Sequence, residues 1–499
     1  MQLLAYRRQF LLTPDPVAAF SRWQQASAGP YALQVHPDCP LTIAAGEGRS
    51  AILIGYALDP RQPDATNADL AGRMARCDNV EGFANCLYDL SGRFLALQIG
   101  PGMMRIFGDA FGLRSLFWTV RDGRFHAASQ PSLLDRAVPL ERSDAYEQYM
   151  QSEYVRTRPG HYHPAGVSLF KNVRQLVPNH YLEVRFPDKV RRVRFYPSRP
   201  LPTLSPEKGL GLYTELLRGS MDAVARRFPL ALALSADVDS RVMLAAAGPF
   251  LENGLAYSLI CRDLTEKSPD IRLPAELASR LGFKHLVIDA REETSPQFRE
   301  LYNANTDIPH TGHWGPPAAA LIAHLPGKYL AVKSDGAEIV RRYNYRYSRH
   351  PRTNSHRYFV SMVKGWDKIP FIDKAIAKWF EGVRPAAELT GHRLPDLFYW
   401  EHEMGGCIAR NQLEWDIAQE VFTPYGNREL LEATLGVDDR LRRLTDNRFF
   451  MPAIGRMWPD AMSLPVHPVK DKKHRIRKFF KKLLMKVGLP TSKKGGVDV

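Results

Sequence analysis

Two serines and two aspartates lie close together in the stretch "PLALALSADVDSRVMLAAA", Pro229 to Ala247. An apolar run that reads as a buried strand stops at Ser235, and an apolar run of helical character begins at Val242. Where a strand's carboxyl end meets a helix's amino end, backbone N–H groups and the helix dipole favour an anion, typically phosphate. Carboxylates in such a loop make sense where magnesium rides on the phosphates, since it prefers oxygen ligands and takes only one or two from protein carboxylates. The spacing alone suits equally well a plain helix cap made by Ser235 with Asp237 or Asp239. No GK[ST] is present, so this is not the Walker arrangement.

The elements around this loop read as strand–helix alternation, the sign of a parallel sheet covered by helices. "EKGLGLYTELLRGSMDAVARRF" reads as a helix, "PLALAL" as a strand, "RVMLAAAG" as a helix and "LAYSLI" as a strand. "PAELASRLGF" is a helix ending at Gly282, "KHLVIDA" and "KYLAVK" are further strands, and the chain from Pro351 reads as mostly helical. The first half is different. "SAILIGYAL", "GRFLALQIG", "MMRIFGD", "SLFWTV" and "RFHAAS" are short strands between turns, followed by "VRQLVP", "HYLEVRF" and the basic "PDKVRRVRFYP". The proline-rich "SRPLPTLSPEKG" separates the two halves. The expected organisation is a β-rich module over 1–197, a linker over 198–209, an α/β module with a doubly wound parallel sheet over 210–465, and a tail over 466–499.

The loop "LSADVDSRVMLAAA" resembles the SGGxDS pyrophosphate loop of the asparagine synthetase and β-lactam synthetase family. Other segments agree in order: "GRF", then "DAFGLRSL", then "AS" in the first half, and "SPDIRLPAELASRLGFKHLVI", "KSDGAEIVRRY" and "LEWDIAQEVFTPYGNRELLEATLGV" in the second. The likeness runs from about Gly92 to about Val437. It implies an Ntn-type, sandwich-like amidotransferase module followed by an ATP-pyrophosphatase module. Relatives use ATP and Mg2+ to adenylate a carboxylate, which an amine or ammonia then converts to an amide. Carried across, Ser235, Ala236, Asp237, Val238, Asp239 and Ser240 would hold pyrophosphate, and Asp239 and Glu338 would hold the metal. Arg241 would contact a phosphate or pair with Asp237. Glu420 would orient or deprotonate the amine.

The departures matter as much. Relatives that hydrolyse glutamine use an N-terminal cysteine. Gln2 stands here and the first cysteine is Cys39, so no glutaminase reaction is expected. Ala236 and Asp237 replace the paired glycines of the loop. Asp237 could be a metal ligand, the partner of Arg241, or a block to ATP. The reading is an amide-forming, ATP-dependent ligase without its own ammonia source, acting on a small-molecule or glycan-precursor carboxylate in polysaccharide or natural-product assembly. The other class is a non-catalytic paralogue, a nucleotide-binding or scaffold protein.

The remaining features are bounds. "VRRYNYRYSRHPR" follows the second loop, and Arg341, Arg342 and Tyr343 read either as a lid for an anionic substrate, as stacking partners for single-stranded nucleic acid, or as a solvated loop. The motif order favours the lid, so nucleic acid is not an expected partner. His310 and His313 have ligand-like spacing without a visible third ligand, so loop or packing roles are expected. Trp400, Trp415 and Phe422 are read as helical core. Five scattered cysteines without a CxxC pair argue against a disulfide framework and for a reducing compartment. No signal peptide or apolar run long enough to span a bilayer is seen, so a cytoplasmic protein is expected. The net charge is +15, and "KDKKHRIRKFFKKLLMK" concentrates nine basic residues on an amphipathic pattern. That tail suits an anionic membrane face, a helix docked on the protein's own body, or non-specific RNA attraction.

Overall fold

Strand "FLALQI" carries apolar residues on both sides, with only Gln98 polar, which suits a strand buried on two faces. Leu95, Leu97 and Ile99 enter one core, and Phe94 and Ala96 enter another. In the computed structural model, residues 4–158, 160–306, 314–325, 328–342, 354–443 and 447–466 are described. The first part holds twelve strands: β1 (Phe10–Thr13), β2 (Gln24–Ala28), β3 (Tyr31–Val35), β4 (Leu41–Gly46), β5 (Arg49–Leu58), β6 (Ser91–Gly100), β7 (Met103–Gly108), β8 (Phe117–Arg121), β9 (Arg124–Ala128), β10 (Arg174–Gln175), β11 (His180–Arg185) and β12 (Lys189–Arg194).

They form two six-stranded antiparallel sheets, ordered β10-β8-β9-β1-β3-β2 and β12-β11-β7-β6-β5-β4. Phe10, Leu12 and Leu33 from the first sheet meet Ile52, Leu97 and Ile106 from the second in a shared core. Helices Asn67–Ala75 and Val80–Tyr88 cover the outer face of the second sheet through Leu70, Met74, Phe83 and Leu87. The first helix starts cleanly because Thr66 and Asp69 cap each other's backbone N–H groups. Strands β1 to β4 were not expected. β2 ("QQASA") and β4 are sheet edges with alternately exposed residues, so their apolar signal is weak.

The second part has a parallel sheet of five strands, ordered β15-β14-β13-β16-β17, where β13 is Leu230–Ala233, β14 Leu255–Ile260, β15 His285–Asp289, β16 Leu330–Val332 and β17 Val421–Phe422. Helices and apolar clusters cover both faces. Successive strands run outward from β13 to β15, and the chain then returns to β13's other side as β16. The switch point therefore lies between β13 and β16, where open α/β sheets bind ligands. Phe422, expected in a helix, is in β17, while Trp400 and Trp415 are buried helical residues. Of the stretch read as a linker, Leu201 N–H donates to Thr390 O and Leu204 N–H to Gly436 O, and residues from Pro206 already belong to the helix Pro206–Ala225. No helix among the described residues is long and apolar enough to cross a membrane.

A buried ion cluster joins the two parts. Arg93 of β6 grips Asp416 with both terminal nitrogens, Nη2 to Oδ2 at 2.8 Å, and donates to Glu420 Oε1 at 2.8 Å. Arg114 donates to Glu420 Oε2 at 2.9 Å and to Arg8 O at 3.0 Å. Burial pushes the Glu420 carboxyl up, but the Arg114, Arg93 and Arg8 guanidiniums outweigh it and hold it at about 2. Removing one partner strands the others, so Arg93→Met should cost about 3–5 kcal/mol, read as a lowered denaturation midpoint. Because Glu420 sits below its usual 4.5, its contribution is present above that value and lost as pH falls from 4.5 towards 2. Acid unfolding of the wild type should show this loss, and Glu420→Gln should flatten that part of the profile.

Candidate functional site

The stretch after β13 turns sharply because its polar groups bond one another. Ser235 N–H and Oγ both donate to Ser240 Oγ, at 3.2 and 3.0 Å, and Ser240 Oγ–H is shared between Ser235 O at 3.0 Å and Asp237 O at 3.3 Å. Asp237 is the N-cap of the helix Val238–Ala247 and accepts the Ser240 N–H at 2.9 Å. Ala236 N–H donates to Asp270 Oδ1 at 3.1 Å, which ties the loop to the first turn of the helix Pro269–Leu281. Val238 is buried in the core beneath.

Arg241 feels the charge of Asp237 but makes its hydrogen bonds elsewhere. Its Nη1 donates to Ala461 O at 2.6 Å and Leu464 O at 3.1 Å, and the side chain is fully buried. It anchors the far end of the described chain to this helix and makes no hydrogen bond to Asp237. Glu420 is corrected more firmly. Both its oxygens are taken by arginines at the junction of the two parts, and a carboxyl held at about 2 is too weak a base to take a proton from an amine.

Asp239 and Glu338 are brought together from the ends of adjacent strands. Glu338 lies in the short helix Ala337–Val340, whose start is Gly336 at φ +95°. A side chain there would meet the Phe111 ring at 2.6 Å, so glycine serves both the turn and the close approach. Glu338 Oε2 accepts the Gly336 N–H at 3.1 Å. Burial pushes the Glu338 carboxyl up to about 8, with the Asp335 and Asp239 carboxylates adding to the effect. Asp239 is pushed up to about 6 by burial, partly offset by Arg341. Arg341 Nη1 donates to Asp239 Oδ2 at 2.5 Å, while Asp239 Oδ1 is buried without a hydrogen-bond partner.

Of the three residues expected to meet an anionic substrate, the two that the structure describes are each already paired. Arg341 is committed to Asp239 and Asn447 Oδ1, the latter at 3.0 Å. Arg342 pairs with Asp439 at 3.0 Å, which already neutralises it. Tyr343 lies outside the described residues, as do the rest of the tyrosine-rich stretch to Arg352 apart from its start, His310, His313, Gln2 and the basic tail.

Two residues of the same strand end, Lys333 and Asp335, stand in the sequence where relatives carry a glycine-rich run and were given no role. Lys333 follows β16, with its Nζ 4.1 Å from the centre of the Trp415 ring, and burial pushes its amine down to about 8 against the attraction of Asp335. Asp335 accepts from Gln412 Nε2 at 3.2 Å, and its backbone oxygen accepts from Thr423 Oγ1 at 2.5 Å. The signal was available: "KSD" follows an apolar strand directly, as "SAD" does after β13. A cavity of about 290 Å3 opens at the ends of β14 and β15, lined by Cys261, Arg262, Arg291, Trp314 and Pro316. Among the described residues no three His, Cys, Asp or Glu side chains are grouped as metal ligands.

No family model and no curated protein matches this chain. Among solved structures, it is similar to glutamine phosphoribosylpyrophosphate amidotransferase from B. subtilis complexed with ADP and GMP, at 10% identity over 68% of this chain and 73% of that one, with a TM-score of 0.25. A second, described as the allosteric regulatory enzyme of purine biosynthesis, shows 12% identity over 61% of this chain and 73% of that one, also at a TM-score of 0.25. Similarity at that level carries no argument about activity, and the mixed α/β architecture rests on the strand pairing described above.

If Asp237 serves as a cap, Asp237→Ala should destabilise the protein by about 1 kcal/mol and Asp237→Asn by much less. Denaturant titration of both variants would show equal losses if Asp237 instead acted through its charge.

Proposed function

We propose that the second part is a nucleotide-dependent, amide-forming ligase site of the asparagine synthetase type, lacking its own glutaminase. The observation that carries this reading is the pair Asp239 and Glu338. Two part-buried carboxylates are pushed up to about 6 and 8, the charge of Asp239 adding to the shift at Glu338, and one oxygen of Asp239 is buried without a hydrogen-bond partner. Such an arrangement costs stability, and perturbed groups of this kind gather at functional sites. The donor set fits magnesium, which accepts one or two carboxylates and completes its shell with phosphate oxygens and water.

Asp239 and Glu338 would hold the ion, and Ser235 to Ser240 would present the nucleotide's phosphates to it. Magnesium bound there would offset the charge of the departing pyrophosphate. The reaction class is attack of a carboxylate on the α-phosphorus with loss of pyrophosphate, then attack of an amine on the acyl carbon with loss of AMP. Asp270 keeps the loop seated on its neighbouring helix. The cavity lined by Arg262 and Arg291 at the ends of β14 and β15 is large enough for a small molecule, although Arg291 is already paired with Asp289. Polysaccharide or natural-product assembly is where we infer such a reaction, with a glycan precursor as one substrate class.

A second reading has its own support: Arg341 already neutralises Asp239 at 2.5 Å, where the first reading needs a metal. On that reading the chain is a non-catalytic relative that scaffolds or binds without turnover. Calorimetric titration with a non-hydrolysable ATP analogue, with and without magnesium, separates them. The ligase reading expects magnesium-dependent binding in the wild type, weakened at least tenfold in Asp239→Asn, a loss of about 1.4 kcal/mol. The second reading expects no magnesium dependence in the wild type and its appearance in Arg341→Met. Absence of binding in both proteins would sink the ligase proposal.

A further inference from the structure

The two halves of one short helical hairpin bring together a pair of thiols. Cys77 sits just past the end of the helix Asn67–Ala75, and Cys86 lies within the helix Val80–Tyr88. Their sulfur atoms are 3.2 Å apart. The backbone on either side is pinned. Cys77 N–H donates to Met74 O at 3.1 Å, Cys77 O accepts Gln98 Nε2 from β6 at 3.1 Å, and Asn79 caps the second helix through Gly82 N–H at 2.7 Å. Arg49 and Asp78 form an ion pair at 2.7 Å across the same turn. Both thiols are half-buried and within reach of small solutes, whereas Cys39 is fully buried. Among the described residues no other two cysteine sulfurs are in contact.

We propose that Cys77 and Cys86 are a modification site that closes reversibly into a disulfide by exchange with a small disulfide such as oxidised glutathione. Cys86, having given its proton to solvent, attacks one glutathione sulfur and expels the other half as a thiolate, which takes up a proton. The Cys77 sulfur then attacks Cys86, expels the second glutathione thiolate and passes its proton to it. Two protein thiols are oxidised and one small disulfide is reduced to two thiols. Burial and the neighbouring Cys86 sulfur push the Cys77 thiol up to about 12, which leaves little of it as the attacking thiolate. The second step is carried instead by proximity, since the Cys77 sulfur already lies 3.2 Å from the Cys86 sulfur. A disulfide spans about 2 Å between sulfurs, so closure needs an approach of about 1 Å, within side-chain rotation. The product would clamp the two helices that cover the outer face of the second sheet.

Both cysteines fall on a single tryptic peptide, Cys77 to Arg93, which makes the test direct. The full chain is treated with oxidised glutathione, its remaining thiols are alkylated, and the digest is weighed. The expected peptide is unalkylated and lighter by two hydrogens than the reduced form, and dithiothreitol restores two alkylation sites. The oxidised protein should also melt at a higher temperature than the reduced one, a difference absent from Cys86→Ser. A wild-type peptide that stays doubly alkylated, or that retains glutathione on either cysteine, overturns the proposal. So does an equal rate of closure in urea, since proximity would then owe nothing to the fold.

Discussion

Four charges that water scarcely reaches hold this molecule together. Arg93 and Arg114 come from the β-rich part, Asp416 and Glu420 from the last stretch of the α/β part, and all four are buried. Taking such groups out of water costs several kcal/mol each, and only close pairing with extra hydrogen bonds offsets it. Here the extra bonds exist. Arg93 Nε donates to Leu113 O at 3.0 Å, and Arg114 Nη1 to Arg8 O at 3.0 Å. The ion pairs form only when both parts are docked, and even then Arg114 Nε is left without a hydrogen bond. The arrangement therefore selects one way of docking, whatever it adds to the net stability.

The candidate site inherits its geometry from that junction. Glu420 immediately precedes β17, a strand of two residues that has too little ladder to define itself. Its position comes from outside: the Glu420 carboxylate is clamped, Tyr56 Oη donates to Val421 O at 2.8 Å, and Glu420 O accepts the Ala331 N–H at 2.9 Å. Lys333 N–H in turn donates to Phe422 O at 2.9 Å. The loop carrying Lys333, Asp335 and Glu338 thus hangs from β17, and β17 hangs from the ion cluster. The β-rich part thus shapes the candidate site by supporting the strand beneath it.

The site itself is held at an electrostatic disadvantage. Asp239, Asp335 and Glu338 are all pushed upward by burial, and Lys333 is pushed down by the same cause. The core pays for this elsewhere, through two sheets sharing an apolar interior and helices covering the outer faces. Arg341 relieves part of the tension at Asp239, which is why the same pair supports both functional readings.

Much of this was legible in the amino-acid order alone. The strand before Ser235, the helix after Asp237, the strand–helix alternation to Asp289 and the short strands of the first half follow from period and turn residues, which act over a few positions. Edge strands such as β2 and the two-residue β17 were not, because their signal is weak or comes from neighbours far along the chain. Local pattern also placed Asp239 where a strand gives way to a helix, while Glu338 was singled out by the resemblance of its segment. The pattern offered Asp237 as one candidate cap without choosing between it and Asp239, and it could not say that Arg241 holds the Ala461 and Leu464 carbonyls, that Glu420 serves the junction, or that Cys77 meets Cys86. Those outcomes depend on which surfaces dock and how far each charge is withdrawn from water, and only the tertiary structure decides either.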